Sequence, residues 1–454
     1  MDFFFKPASI AIVGASASKT KLSGVILDSL ARSGFSGEIY PINPKHKSVK
    51  GLKCHASFKE LDRKVDLAVF ALPAELTPAV FEEAAGYIRG AIIVSGGFAE
   101  AGIEGTEFEE KIRQIARSNG VRVIGPNCLG IYDTVSGLDT FFISASRLER
   151  PGPGALSIIS QSGSFAVTAM DELAAEGIGV ARVISYGNRM DVNEADCLRF
   201  FEDDKKTGIV ALYVESIDDG RRFVEAAERL SAVKPVFAIK VGKGGIGALA
   251  AKSHTGAIAG RYEVYRAAFK KAGIIELDGY DAFISACKVF GSDKAVRESE
   301  GNRVVIITDG GGMGVGIADE CTDVGLYVPH PSNDLNAELR RALPSYFAVG
   351  NPIDLTGSVT DDLFTSALEM TMSGSEFDIA IVAALWGPPA LTDALPEMLA
   401  RAVKKFNKPV IICSPGGRYS RKKAEIFRKA GFPVFATPES AVKAASAVAR
   451  RLKV

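Results

Sequence analysis

The 454-residue chain has no excess of charge of either sign: Lys plus Arg is 54 and Asp plus Glu is 54, for a formal net charge of zero. That balance argues against a nucleic-acid binder or a polybasic membrane protein, while leaving room for a local basic patch that holds a phosphate. No apolar run approaches the roughly 18–20 residues that a spanning helix needs. The longest candidate, Ile379 to Trp386, reads as a buried strand. Phe3-Phe4-Phe5 gives way at once to Lys6-Pro7, which is not the pattern of a signal peptide. Histidine is scarce: His46, His55, His254 and His330 are not paired at metal-ligand spacing, so no metal site is expected. Cys54, Cys128, Cys197, Cys287, Cys321 and Cys413 stand singly with no C-x-x-C pair, as in a reduced, cytoplasmic setting. Neither G-x-G-x-x-G nor G-x-x-x-x-G-K-[ST] occurs, so the dinucleotide fingerprint and the P-loop are both missing.

What is present is an ordinary globular balance, 47% apolar and 24% charged, with a length that corresponds to about three domains. One pattern recurs: a continuous apolar run, a Gly- or Ser-rich turn, then an amphipathic helix. It occurs at Ile10–Val13, at Leu156–Ile159 and at Val304–Thr308. Continuous runs are expected of parallel strands covered on both faces. Helices are expected to stop at Gly34, Gly177, Gly325 and Gly431, each followed by an apolar residue that opens a new stretch. Alternating strands and helices mean parallel α/β sheets. Breaks at Glu149–Gly154 and Gly291–Asn302 divide the chain into three doubly wound α/β domains at about 1–148, 149–295 and 302–454.

In the first domain the turn Gly14-Ala15-Ser16-Ala17-Ser18-Lys19 follows a strand and opens a helix. It is either a plain connection or an anion cradle of backbone N–H groups. The second strand ends at Asn43-Pro44-Lys45, placing a lysine where a dehydrogenase wants a carboxylate. Lys45 suits a phosphorylated ribose, either the 3′-phosphate of coenzyme A or a 2′-phosphate dinucleotide; the missing glycine fingerprint favours the former. Further strand ends at Leu72-Pro73, Ser95-Gly96-Gly97-Phe98 and Asn127-Cys128 can line the same crevice. Cys128 is either near a thiol-bearing cofactor or a small buried side chain.

In the second domain, Ser160-Gln161-Ser162-Gly163-Ser164 opens a helix with hydroxyls and a glycine, a cradle suited to an anion. His254 lies in a small-residue, glycine-rich segment flanked by Lys240, Lys243 and Lys252. A neutral imidazole there is a competent nucleophile. Glu215 at a strand end is either its orienting carboxylate or a surface acid. In the third domain, the turns at Gly311-Gly312 and Asn351-Pro352-Ile353-Asp354 either face a phosphate or simply connect elements.

Ser253-His254-Thr255-Gly256-Ala257, Gly125-Pro126-Asn127-Cys128, Ser160-Gln161-Ser162-Gly163 and Asn351-Pro352-Ile353-Asp354 together resemble the α subunits of ADP-forming acetyl-CoA synthetases, relatives of succinyl-CoA ligase. The resemblance runs along the whole chain. It implies a Rossmann-like CoA-binding domain followed by two flavodoxin-like ligase domains, and a phosphohistidine at His254 oriented by Glu215. It implies phosphate binding by Ser160, Gln161, Ser162, Gly163 and Ser164, with Gly311 and Gly312 as a second helix end. It also implies CoA binding by Gly14, Ala15, Ser16, Ser18, Lys19, Asn43, Lys45, Leu72, Pro73, Ser95, Gly96, Gly97, Phe98, Asn127 and Cys128. ADP or ATP with Mg2+ is expected on a separate nucleotide-binding β subunit in an α2β2 assembly, since no grasp domain is recognisable here. The alternatives are a non-catalytic CoA-binding or acyl-CoA-sensing protein, a succinate-specific ligase and, third, a dehydrogenase.

Overall fold

The computed structural model describes residues 1–247, 261–292, 299 and 301–450. Contacts divide the chain into two compact units, Met1–Ala175 with Gly179–Glu276, and Glu176–Ile178 with Leu277–Val454.

The first unit holds two sheets. In the first, β1 (Ser9–Val13) lies between β2 (Glu38–Ile42) and β5 (Val65–Phe70), followed by β6 (Ile88–Ile93) and β7 (Arg122–Ile124). A small hairpin, β3 (Ser48–Val49) and β4 (Leu52–Lys53), sits apart. Ile10 and Ile12 enter one apolar cluster while Ala11 and Val13 enter another, so β1 is covered on both faces. Strand alternation combined with two-sided burial is what makes its sequence continuously apolar.

The second sheet has β10 (Pro153–Ser160) between β11 (Val180–Ser185) and β12 (Ile209–Val214), with β13 (Val236–Lys240) and β14 (Ile275–Leu277) beyond β12. On its other edge β8 (Gly130–Asp133) pairs antiparallel with β11, and β9 (Leu138–Asp139) pairs with β8. The chain that leaves the first sheet therefore extends the second. One apolar cluster joins Ile12 and Ile124 with Ile159, Ile184 and Leu212. The edge is pinned where Arg182 faces Asp133 across the pair: its Nε donates to Asp133 Oδ2 at 3.0 Å, and a second nitrogen reaches Asp204.

The second unit is built on β15 (Val304–Thr308), between β16 (Ile353–Asp354) and β17 (Ile379–Ala383), then β18 (Val410–Cys413) and β19 (Val434–Phe435). The apolar run that begins at Ile379 is the buried strand its sequence implied. Helix Gly279–Gly291 packs on helix Pro438–Arg450 within this unit. Numbering the five principal strands of each sheet in chain order gives 2-1-3-4-5 three times, the doubly wound order with a crevice between strands 1 and 3. Gly34, Gly177, Gly325 and Gly431 all have positive φ, so the expected helix stops are left-handed. All six cysteines are buried, and none is joined in a disulfide.

Candidate functional site

The crevice of the first sheet opens where β1 and β5 end, at Gly14 and at Ala71–Pro73. Gly14 has φ of 80°, and a Cβ there would stand 2.7 Å from the Ala71 carbonyl oxygen. Only a glycine lets the two strand ends approach this closely. Ser23 in the following helix donates to the Gly14 carbonyl at 2.8 Å, locking the turn onto helix Leu22–Ser33. Ser16 is buried and its Oγ accepts from the Ser18 N–H at 3.2 Å; Ser18, Lys19 and Lys45 are exposed. Asn43 joins the two loops: its Nδ2 donates to the Ala15 carbonyl and its Oδ1 accepts from the Lys45 N–H, both at 2.9 Å. The sequence-derived set Gly14, Ala15, Ser16, Ser18, Asn43, Lys45 and Leu72 thus gathers at one switch point.

Pro73, Gly96 and Gly97 line a neighbouring cavity of about 500 Å³ together with Glu75, Glu104 and Phe108. The N–H groups of Gly97 and Phe98 already have an anion: both donate to Glu100 Oε1, at 2.6 and 3.2 Å. Phe98 itself is fully buried and Ser95 half-buried. Asn127 has φ of 57° and its N–H donates to the Ser95 carbonyl at 2.9 Å, closing this part of the rim. Cys128 does not face it. Its side chain is in the apolar core with the thiol on the Ile93 carbonyl at 3.4 Å, and burial pushes its pKa up to about 12. Of the two sequence readings, the small buried side chain is the one observed.

The second crevice lies between the ends of β10 and β12 and is built largely from buried polar groups. Ser160, Gln161, Ser162 and Glu215 are all buried. Helix Gly163–Ala175 begins here, with the Ser162 hydroxyl accepting the Phe165 N–H at 3.3 Å and lying 3.1 Å from the Ser164 hydroxyl. Gln161 spans the crevice: its Oε1 accepts from the N–H groups of both Glu215 and Ser216. Gly163 packs against Leu129, where a Cβ would come within 2.9 Å of the Leu129 Cγ. Burial, reinforced by the Glu215 carboxylate, raises the Tyr213 hydroxyl pKa. Lys240, at the end of β13, donates to the Glu215 carbonyl at 2.7 Å and lies 4.5 Å from the Tyr265 ring centroid. Burial pushes its pKa down to about 8, against the opposing pull of Glu215. His254 and its neighbours fall outside the described residues.

In the second unit, the N–H of Gly310 donates to Thr308 Oγ1 at 3.0 Å, and helix Gly311–Asp323 follows. A Cβ on Gly311 would stand 2.5 Å from Asp354 Oδ2, so a carboxylate already flanks this helix start; Gly312 is open. Asn351 is committed to the backbone of β15, accepting from the Ile306 N–H at 3.0 Å and donating to the Val304 carbonyl at 2.7 Å. Its place in the motif is structural.

Sequence reasoning passed over Tyr186, Asn188, Arg189 and Glu194, which stand between the two crevices of the first unit. No periodicity marks Tyr186-Gly187-Asn188-Arg189-Met190; the signal was available only as a polar run directly after a buried strand.

A CoA binding domain model matches residues 8–134, a succinyl-CoA ligase like flavodoxin domain residues 153–290, and a ligase-CoA domain residues 304–450. The α subunit of acetate–CoA ligase (ADP-forming) II of Pyrococcus furiosus is 35% identical over 460 residues, covering 100% of this chain and 98% of that one. Acetate–CoA ligase (ADP-forming) I of Archaeoglobus fulgidus is 33% identical over 455 residues, and this chain spans 64% of that longer relative. Among solved structures, dinucleotide forming acetyl-coenzyme A synthetase 1 of Ca. Korarchaeum cryptofilum, in complex with phosphate and ADP, aligns with a TM-score of 0.91 at 32% identity, covering 100% of this chain and 97% of that one. Matched along its whole length by relatives of this kind, the chain belongs to the family of ADP-forming acetate–CoA ligase α subunits.

Proposed function

We propose that the chain acts as the α subunit of an ADP-forming acyl-CoA synthetase, converting acyl-CoA, ADP and phosphate to carboxylic acid, ATP and CoA. In this reading the first crevice holds CoA and the second holds the phosphoryl group. A phosphate oxygen attacks the thioester carbonyl; the carbon–sulfur bond breaks and CoA leaves as the thiol, giving an acyl phosphate. A His254 ring nitrogen then attacks phosphorus, and the carboxylate leaves. The phosphohistidine finally gives its phosphoryl group to the terminal phosphate oxygen of ADP on a nucleotide-binding partner, in an α2β2 assembly; Mg2+ would accompany the nucleotide there.

The observation that carries this reading is the buried Glu215 beside the Ser160–Ser164 helix start. A carboxylate beside an anion cradle can orient an imidazole: one nitrogen donates to the carboxylate while the other takes the phosphoryl group, with the helix end stabilising its oxygens. The helix start and its hydroxyls contribute positioning and charge stabilisation to the transfer. The test is incubation of the chain and its partner subunit with acetyl-CoA and labelled phosphate. An acid-labile protein label is expected in the wild type and absent from His254→Ala; a label that persists in the variant overturns the assignment.

A further inference from the structure

The segment between β11 and the helix Glu194–Asp203 touches both crevices of the first unit. Gly187 has φ of 55°, and a Cβ there would collide with the carbonyl oxygens of Pro126 and Asn127. Asn188 and Met190 donate their N–H groups to the carbonyls of Pro126 and Gly125, each at 2.9 Å. The Asn188 side chain reaches further into the CoA side: Nδ2 donates to Glu100 Oε2 at 2.6 Å and to Glu109 Oε2 at 3.3 Å. The other oxygen of Glu100 is the one that holds the Gly97 and Phe98 N–H groups.

Arg189, the next residue, points to the phosphoryl side. It is a non-glycine residue with φ of 52°, a strained conformation that persists where surroundings enforce it. Its guanidinium donates to the Ser216 carbonyl at 2.6 Å and the Ser216 hydroxyl at 2.9 Å, and forks onto Asp218 at 2.9 and 2.6 Å. Ser216 follows Glu215, and their N–H groups share Gln161 Oε1. Beneath the arginine lie Tyr186 and Glu194, both buried and within electrostatic reach of it and of each other. The Tyr186 N–H donates to the Ser160 carbonyl at 3.1 Å. Two adjacent side chains thus grip, in opposite directions, the turns that flank the two sites.

We propose that Asn188 and Arg189 are positioning residues that couple the sites: Asn188 sets the Glu100-bound turn on the CoA side, and Arg189 sets the Glu215–Ser216 turn on the phosphoryl side. Displacement of one turn is carried to the other through a single rigid step of backbone. The inference rests on the function proposed above.

The test uses the full chain with its nucleotide-binding partner and separates two half-reactions: labelling of the chain from labelled ATP without CoA, and discharge of that label by CoA plus acetate. In Asn188→Ala the discharge rate is expected to fall about five- to tenfold more than the labelling rate, chiefly through a higher KM for CoA. In Arg189→Gln labelling itself is expected to fall, with partial recovery in Arg189→Lys, which keeps the charge and loses the fork. Combining Asn188→Ala with Arg189→Gln should give less than the sum of the separate losses. Full additivity of the two substitutions, or unchanged rates, would overturn the coupling. If Arg189→Gln fails to fold, Arg189→Lys takes its place in the cycle with Asn188→Ala. A wild-type chain that takes no label from ATP overturns the underlying functional reading instead.

Discussion

Lys240 is the described residue whose protonation bears most directly on the second crevice. Its amine is buried, bonded to the carbonyls of Glu215 and Val241, and its pKa falls from 10.5 to about 8. Between those two values the unfolded chain binds the proton and the folded chain does not, so stability rises with pH across that window. The melting temperature of the wild type, measured against Lys240→Met from pH 7.5 to 10.5, should therefore climb relative to the variant. A constant difference would place the amine in a more polar setting. Lys45 offers the complementary ligand experiment. It is exposed, with its backbone held by Asn43, and so is free to pair with a phosphate. Lys45→Ala should weaken CoA more than dephospho-CoA, measured by titration calorimetry, whereas equal losses would remove it from the 3′-phosphate.

At the scale of elements, the first crevice depends on two strand ends that meet at a glycine. Gly14→Ala introduces both a left-handed φ penalty and a contact with the Ala71 carbonyl. It should cost about 1–3 kcal/mol by denaturant unfolding and reduce CoA binding as well. Gly34→Ala, with φ of 77° but open space around it, should lose only the conformational part and leave CoA affinity alone. These elements were legible in the sequence for a physical reason. Two-sided burial writes a strand such as Ile10–Val13 as an unbroken apolar run, and a helix that must stop writes a glycine. Glu215 was legible only as a strand end, because its burial depends on Gln161 reaching across from another strand. Asn188 and Arg189 were legible only as a polar run after a buried strand, since their partners lie at Glu100, Asn127, Ser216 and Asp218, far from any local pattern.

The first two sheets share a core because strands β8 and β9 cross from one to the other. Nothing local announces this: Gly130–Asp133 reads as the end of the first domain, and only tertiary pairing with β11 assigns it to the second sheet. The ion pair that fixes the register is almost wholly enclosed, with Arg182 at 1% and Asp133 at 0% exposure. Arg182→Leu would strand two carboxylates, Asp133 and Asp204, and should cost about 3–5 kcal/mol in equilibrium unfolding. Replacing Arg182 and both acids together by apolar residues should recover much of that loss, because the uncompensated charge goes with it.

The interior placement of every sulfhydryl has a practical corollary. Cys54 is the least enclosed at 5% exposure, and burial lifts the thiols of Cys128, Cys321 and Cys413 to about 12. Thiolate is the form that reacts with disulfide dyes, so the native subunit should be silent toward such a dye. Each turnover that releases CoA would then register as colour from the product alone.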